Sequence, residues 1–373
     1  MANALAASAK PRHGVGLLGL APPNYTKSQL SGANALTASV KSHHGVGLLG
    51  LAPPNYTNML SALAAIGTAS APVAAPKWIY VTKRFQDFLS NLDLTPQQRA
   101  DGWTKIHGVV SSLNSAYYGH NSDTANAFLI GSWAKGTHIR PPRDIDLYFL
   151  LPFEVYQRLQ AYGALTNKQS ALLQEVKSNL LWTNPQSSIK GDGPVVLADF
   201  TTYGVEIVPA FALTESRAYW VCDTKYGGSF KKTMPWHEVD TIEAANARNN
   251  SNVLPLVRML KAWQAYCNVG IKSFYLELLA IEFLDHWAYK HESYFYYDWM
   301  CRDFFRWMIA KANTHVWAPG TFEKLGLGDD WKSRAESAHA RAVKACNFES
   351  VNDMSNAGDE WQKIFGIDIP KYV

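Results

Sequence analysis

The order of apolar and polar positions divides the chain near residue 78. From Trp78 to Leu92 apolar residues recur at helical spacing, and Leu94-Thr95-Pro96 opens a second predicted helix. Thr95 is its expected N-cap and Pro96 its first residue, with the helix running to about Tyr118. Phe128-Leu129-Ile130 reads as a short strand stopped by Gly131-Ser132. Asp144–Leu151 alternates Asp, Ile, Asp, Leu before turning continuously apolar, the pattern of a buried strand with one functional edge. Val195–Phe200 and Val205–Phe211 are further predicted strands, joined by a turn at Thr201–Gly204. Beyond Trp236 the period becomes helical, over about 238–249, 253–268, 273–289, 294–313, 328–347 and 351–365. In the second of these, Val253, Leu254, Leu256, Val257, Leu260 and Trp263 make one apolar face. The expected fold class is α+β. A sheet lobe with N-terminal helices, 78–236, precedes an all-helical lobe, 237–373, with a cleft between them.

Residues 1–77 follow no such pattern. Ala2–Thr26 and Ala33–Thr57 are copies displaced by 31 residues, differing only at Ala6/Thr37, Ala9/Val40, Pro11/Ser42 and Arg12/His43. Their shared glycines and prolines oppose a long helix or a central strand, and each copy has too little apolar content for a core. A disordered tail is expected, either a passive duplication or a two-copy docking peptide for a peptide-binding partner. Pro22-Pro23-Asn24-Tyr25 and its copy Pro53-Pro54-Asn55-Tyr56 match a proline-tyrosine ligand pattern.

Charge narrows the function classes. The first 77 residues hold five basic side chains and no acid, leaving 30 Lys and Arg against 31 Asp and Glu in the remainder. A body so balanced is not built to grip duplex nucleic acid by its phosphates, although a local basic groove is compatible with it. Cys222, Cys267, Cys301 and Cys346 form no CxxC pair, so four buried free thiols are expected rather than a disulfide or zinc framework. No membrane span is expected, because the apolar run Phe274–Trp287 is broken by Glu277, Glu282 and Asp285. The acid-free, Ala/Ser-rich start resembles a transit peptide in composition but is poor in Arg, and a cytoplasmic location is the expectation.

Asp144 and Asp146 are two apart on a predicted strand and so face the same side. Two carboxylates held together repel unless a cation neutralises them. Glu206, amid apolar strand residues, is a third costly carboxylate. Oxygen donors without His or Cys suit two Mg²⁺ or Mn²⁺ ions and in-line displacement at phosphorus. An exposed Asp-x-Asp at a strand start is the plainer reading of the pair alone. Upstream, Gly131-Ser132 opening a helix would offer backbone N–H groups and a hydroxyl to an anion.

The spacing Gly-Ser-x11-Asp-x-Asp resembles the polymerase-beta-type nucleotidyltransferase fold. The fuller strings Gly131-Ser132-Trp133-Ala134-Lys135-Gly136-Thr137 and Arg143-Asp144-Ile145-Asp146-Leu147 resemble the cGAS/DncV-like nucleotidyltransferases and the oligoadenylate synthases. Gly204–Phe211 is similar to the family segment carrying the third metal carboxylate, with Glu206 where Asp is frequent. Leu260-Lys261-Ala262-Trp263 resembles the helix whose lysine holds the triphosphate, Ile271–Glu277 the next helix start, and Trp361–Gly366 the closing helix. The zinc insertion of the animal DNA sensor has no counterpart. The resemblance spans about Trp78 to Val373 and omits the repeats.

It implies that Asp144, Asp146 and Glu206 are catalytic and hold two Mg²⁺ (or Mn²⁺), and that Gly131, Ser132, Lys261, Lys272 and Ser273 bind the nucleotide. Ser273 could equally be an N-cap, and Lys261 a solvated helix lysine. Tyr219, Trp220 and Tyr226 could stack a base or fill the core, and Lys231 and Lys232 contact phosphate or solvent. The implied function is synthesis of a cyclic or short linear oligonucleotide messenger from NTPs, in antiphage defence, with an effector that binds the product. The alternative is nucleotidyl transfer to a tRNA end or a protein tyrosine, for which Tyr25, Tyr56 and Tyr372 are candidates.

Overall fold

The computed structural model describes residues 77–163, 167–183, 188–192, 194–214 and 217–373; the tandem repeats and the expected tail lie outside them. Helix α1 (Val81–Asn91) is followed by α2 (Pro96–Tyr118), whose start follows the sequence signal. Thr95 Oγ1 accepts from the Gln98 N–H at 3.1 Å, the Gln98 side chain accepts from the Thr95 N–H at 2.9 Å, and Pro96 is the first helical residue.

The sheet is built from β1 (Ala127–Leu129), β2 (Ile145–Leu150), β3 (Ser188–Asp192), β4 (Val195–Asp199), β5 (Gly204–Ala212), β6 (Tyr219–Asp223) and β7 (Ser229–Thr233). Strands run in the order β1-β2-β5-β4-β3, with β6 also on β5 and β7 on β6. Among the described residues only β2 and β5 pair in parallel; the other ladders are antiparallel. The long β5 offers one edge to β2 and uses its other edge twice, first for β4 at Gly204–Ile207 and then for β6 at Ala210–Ala212.

Period-two alternation sorts the two faces. Ile145, Leu147, Phe149, Val205 and Ile207 enter a core completed by α2, α4 (Phe153–Gln160) and α5 (Lys168–Thr183). On the opposite face Phe128, Tyr148, Tyr219 and Val221 form a smaller cluster capped by Trp236. Asp146 and Glu206 fall on that second face, where the short α3 (Gly131–Lys135) and the helical lobe meet the sheet.

The helical lobe contains α6 (Pro235–Arg248), α7 (Val253–Tyr266), α8 (Ser273–His286), α9 (Tyr297–Ile309), α10 (Lys332–Ser350) and α11 (Met354–Phe365). It is not all helical: β8 (His315–Trp317) and β9 (Lys324–Gly326) form a hairpin inside the predicted helical region. Three-residue strands carry too few alternations to register as a period. Although α1 precedes the sheet in sequence, its Val81, Phe85, Phe88 and Leu89 are buried in the core of the helical lobe. Arg84, fully buried, fixes it there by donating to Glu349 Oε1 at 2.7 Å, Lys371 O at 2.8 Å and Met354 O at 3.0 Å. Cys222, Cys301 and Cys346 are buried free thiols, but Cys267 is only half-buried, because it ends α7 at the surface. Among the described residues no helix is long and apolar enough to cross a membrane.

Candidate active site between the lobes

A cleft of about 430 Å³ opens where α3, the ends of β2 and β5, and helices α6, α7 and α8 converge. It brings together Gly131, Ser132, Asp144, Asp146, Glu206, Lys261 and Ser273, which lie more than 100 residues apart at the extremes of the set. The parallel register places Asp146 directly beside Glu206 on adjacent strands. Asp144 stands one residue before β2, exposed at the cleft mouth rather than in the strand.

Two glycines make room for these carboxylates. Gly131 has φ +58°, and a Cβ there would overlap the Asp146 carboxylate, with its Cγ only 2.6 Å away. A Cβ at Gly204 would strike the Asp144 carboxylate in the same way, its Cγ at 3.2 Å. The Gly-Ser turn is therefore glycine-dependent both for its left-handed backbone and for the acid lying against it.

Burial raises the Asp146 pKa; Lys135 and Lys261 oppose the shift, and Asp144 and Glu277 reinforce it. Such a carboxylate gains from a cation. Among the described residues no three His, Cys, Asp or Glu side chains form a ready-made metal site. The donor set is nevertheless all oxygen, and the exposed Asp144 can change rotamer at little cost. The residue types thus fit a hard divalent cation.

The cleft floor holds a network that sequence reasoning missed. Lys261, almost completely buried, is no solvated lysine. Its Nζ donates to Thr137 Oγ1 at 2.9 Å and Thr137 O at 3.1 Å, and lies 3.2 Å from Glu277 Oε1. Lys135 Nζ meets Glu277 Oε2 at 2.9 Å and Glu238 Oε2 at 2.8 Å, and sits 4.8 Å from the centre of the Phe274 ring. The two lysines titrate in opposite directions. Burial dominates at Lys261 and lowers its pKa, with Glu277 opposing and Lys135 and Arg143 adding to the effect. Burial also disfavours charge on Lys135, but Glu277 and Glu238 together outweigh it and raise its pKa. Glu277 is buried too, yet the paired lysines hold its pKa below the usual value.

The signal for Glu277 was present: it is a lone acid in the apolar stretch Phe274–Ile281, on the core-facing side of α8. Lys135 lay inside the Gly131–Thr137 string, but its partners are more than 100 residues away.

Other candidates separate. Ser273 lines the cleft as the first residue of α8, with Lys272 at the N-cap, and its hydroxyl donates to Gln264 Oε1 at 2.7 Å. Lys272 does not line the cleft; its ammonium lies 5.6 Å from the centre of the Tyr275 ring. Tyr219 packs 5.2 Å from Phe128, and Trp220 stacks on Phe230 at 6.0 Å, so both serve the sheet. Tyr226 is fully exposed outside the cleft, and Lys231 pairs with Glu323 at 2.9 Å. Lys232 lies on the exposed strand β7.

Residues 79–246 match the profile of the Second Messenger Oligonucleotide or Dinucleotide Synthetase domain. A protein described as a probable cyclic nucleotide synthase of Bacillus cereus (strain VD146) is 24% identical over 277 residues, which are 65% of this chain and 81% of that protein. Among solved structures, apo DncV of Vibrio cholerae aligns with TM-score 0.59 at 14% identity, covering 78% of this chain and 95% of that one. CdnC of Escherichia coli MS115-1 with ATP aligns with TM-score 0.54 at 18% identity, covering 77% and 98%. At such identities the structural likeness establishes a shared fold. Residues 79–246, a little under half of the chain, are thus similar to the Second Messenger Oligonucleotide or Dinucleotide Synthetase domain, and the fold is the one shared by DncV and CdnC.

Proposed function

We propose that the chain is a metal-dependent nucleotidyltransferase that joins NTPs into a cyclic or short linear oligonucleotide messenger, releasing pyrophosphate, in antiphage defence signalling. The observation that carries this reading is the register setting Asp146 beside Glu206 on one wall of a cleft also lined by Gly131, Ser132 and Lys261. DncV, described as a cyclic AMP-GMP synthase, has been captured with the linear intermediate pppA(3′,5′)pG, which supports the same substrate class here.

Asp144, Asp146 and Glu206 would hold Mg²⁺ or Mn²⁺, which when bound lowers the pKa of an acceptor hydroxyl and offsets charge at the α-phosphate. The chain's own groups do the rest. The Gly131-Ser132 turn and Lys261 bind the β- and γ-phosphates, orienting the leaving group. Glu206 faces the acceptor, whose oxygen forms the new bond to the α-phosphorus as the bond to the bridging oxygen breaks. The near-neutral body fits local binding of nucleotides rather than a long duplex.

The test is incubation of the purified chain with labelled NTPs and Mg²⁺ or Mn²⁺, followed by phosphatase. Phosphatase-resistant small products are expected, and Asp144→Ala with Asp146→Ala should abolish them. Transfer that survives the double substitution would show the metal assignment to be wrong. Label retained on the protein would point instead to a tyrosine acceptor.

A further inference from the structure

A carboxylate buried at the floor of a triphosphate site competes with the ligand for the same cations. Glu277 does this while exposing only 5% of its surface: one oxygen lies 3.2 Å from Lys261 Nζ and the other 2.9 Å from Lys135 Nζ. The Thr137 hydroxyl donates to Glu277 Oε1 at 3.1 Å and accepts from Lys261, closing the network. All three protons of the Lys261 ammonium are thereby committed, so a phosphate oxygen reaches it only by displacing an acceptor. The longest of its three contacts is the one to Glu277.

We propose that Glu277 is a positioning residue for the triphosphate, holding Lys261 in place before a nucleotide binds and handing it to the incoming phosphate while remaining paired with Lys135. The proposal rests on the reading of the cleft as an NTP site. What makes the exchange feasible is Lys135. After Lys261 turns to phosphate, Glu277 still has the Lys135 ammonium and the Thr137 hydroxyl, so no buried charge is left unpaired. Lys135 in turn is held by Glu238, a second carboxylate that keeps it at the junction between α3 and the helical lobe. Glu277 thus registers the phosphate turn, α7 and α8 to one another, and Glu238 ties α6 to the same lysine of the turn.

Three roles for Glu277 predict different outcomes. As a packing element it would weaken ligand binding when changed. As a mere source of negative field it would, when removed, tighten triphosphate binding and leave turnover alone. As a positioning residue its removal tightens binding and slows turnover together, because Lys261 is free to bind the anion but no longer held in register.

The experiment uses the full chain, titrated calorimetrically with inorganic triphosphate and Mg²⁺ and assayed for pyrophosphate release from NTPs. Glu277→Gln should bind inorganic triphosphate about fivefold more tightly and lower both KM and kcat, the latter by about tenfold. Lys135→Met should bind it about fivefold more weakly, since Glu277 then has only Lys261 to pair with, and adding Glu277→Gln to that variant should restore binding. Weaker or unchanged binding in Glu277→Gln overturns the proposal, as does tighter binding with unchanged kcat. If circular dichroism shows Lys135→Met unfolded, the sign of the binding change and the kcat of Glu277→Gln decide alone. Failure of the wild-type chain to bind triphosphate at all would overturn the NTP reading itself, a result distinct from either variant outcome.

Discussion

Replacing Gly131 by Ala isolates the link between backbone geometry and the cleft carboxylates. Gly131 adopts φ +58°, where a side chain costs about 1–2 kcal/mol. Its new Cβ would also lie 2.6 Å from Asp146 Cγ and 3.1 Å from Asp146 Cβ, so the carboxylate has to turn out of the cleft. Displacing a reacting group by about 1 Å lowers turnover by roughly 100-fold. Gly204→Ala is the companion variant: it has no left-handed backbone to strain, and its Cβ meets only the exposed Asp144 carboxylate and Leu197 Cδ1 at 3.0 Å. It should cost less than about 1 kcal/mol yet still slow the reaction. Urea denaturation and pyrophosphate release, measured on both variants, separate the two effects. Wild-type turnover in a folded Gly131→Ala protein would refute the claim that this glycine exists to seat Asp146.

Arg84→Met should destabilise the chain by about 3–5 kcal/mol in urea denaturation, because it leaves the buried Glu349 without its cation; a loss below about 1 kcal/mol would contradict the anchoring role. His138 is neutral in the fold, since burial, aided by Arg99, pulls its pKa down to about 4. An unfolded histidine protonates near pH 6.5, so between that value and 4 the unfolded chain binds the extra proton and stability falls as pH falls. The loss should approach about 3 kcal/mol and be reduced in His138→Phe, measured as unfolding free energy against pH. Removing residues 2–76 should leave product formation unchanged, because the family match begins at residue 79; loss of activity in a folded truncated protein would place the repeats in the reaction.

Legibility varied with the range of the determining interactions. The start of α2 was readable because its cap is local, Thr95, Pro96 and Gln98 lying within one turn. The strands β2 and β5 were readable from their alternation, although Asp144, expected on the same strand as Asp146, stands one residue before β2. Helices α4 and α5 and strands β3, β6 and β7 were not read. Short aromatic segments such as Tyr219–Asp223 have no distinctive period, and their aromatic rings were weighed as base-stacking candidates before the sheet claimed them. Lys272 and Ser273 are adjacent in sequence, yet only Ser273 lines the cleft: Lys272 is the extended N-cap residue and Ser273 the first residue of α8.

The sequence by itself determined the fold class, the Gly-Ser turn and the acids that follow it, since each depends on periodicity or spacing within a few residues. It also determined that the repeats and the near-neutral body are different kinds of chain. Tertiary structure alone decided that α1 completes the helical core, and that a lysine of α3 and a lysine of α7 share one glutamate of α8. A buried charge is tolerable only where its counter-charges arrive from elsewhere in the fold, and their arrival is a property of packing, invisible in the order of residues.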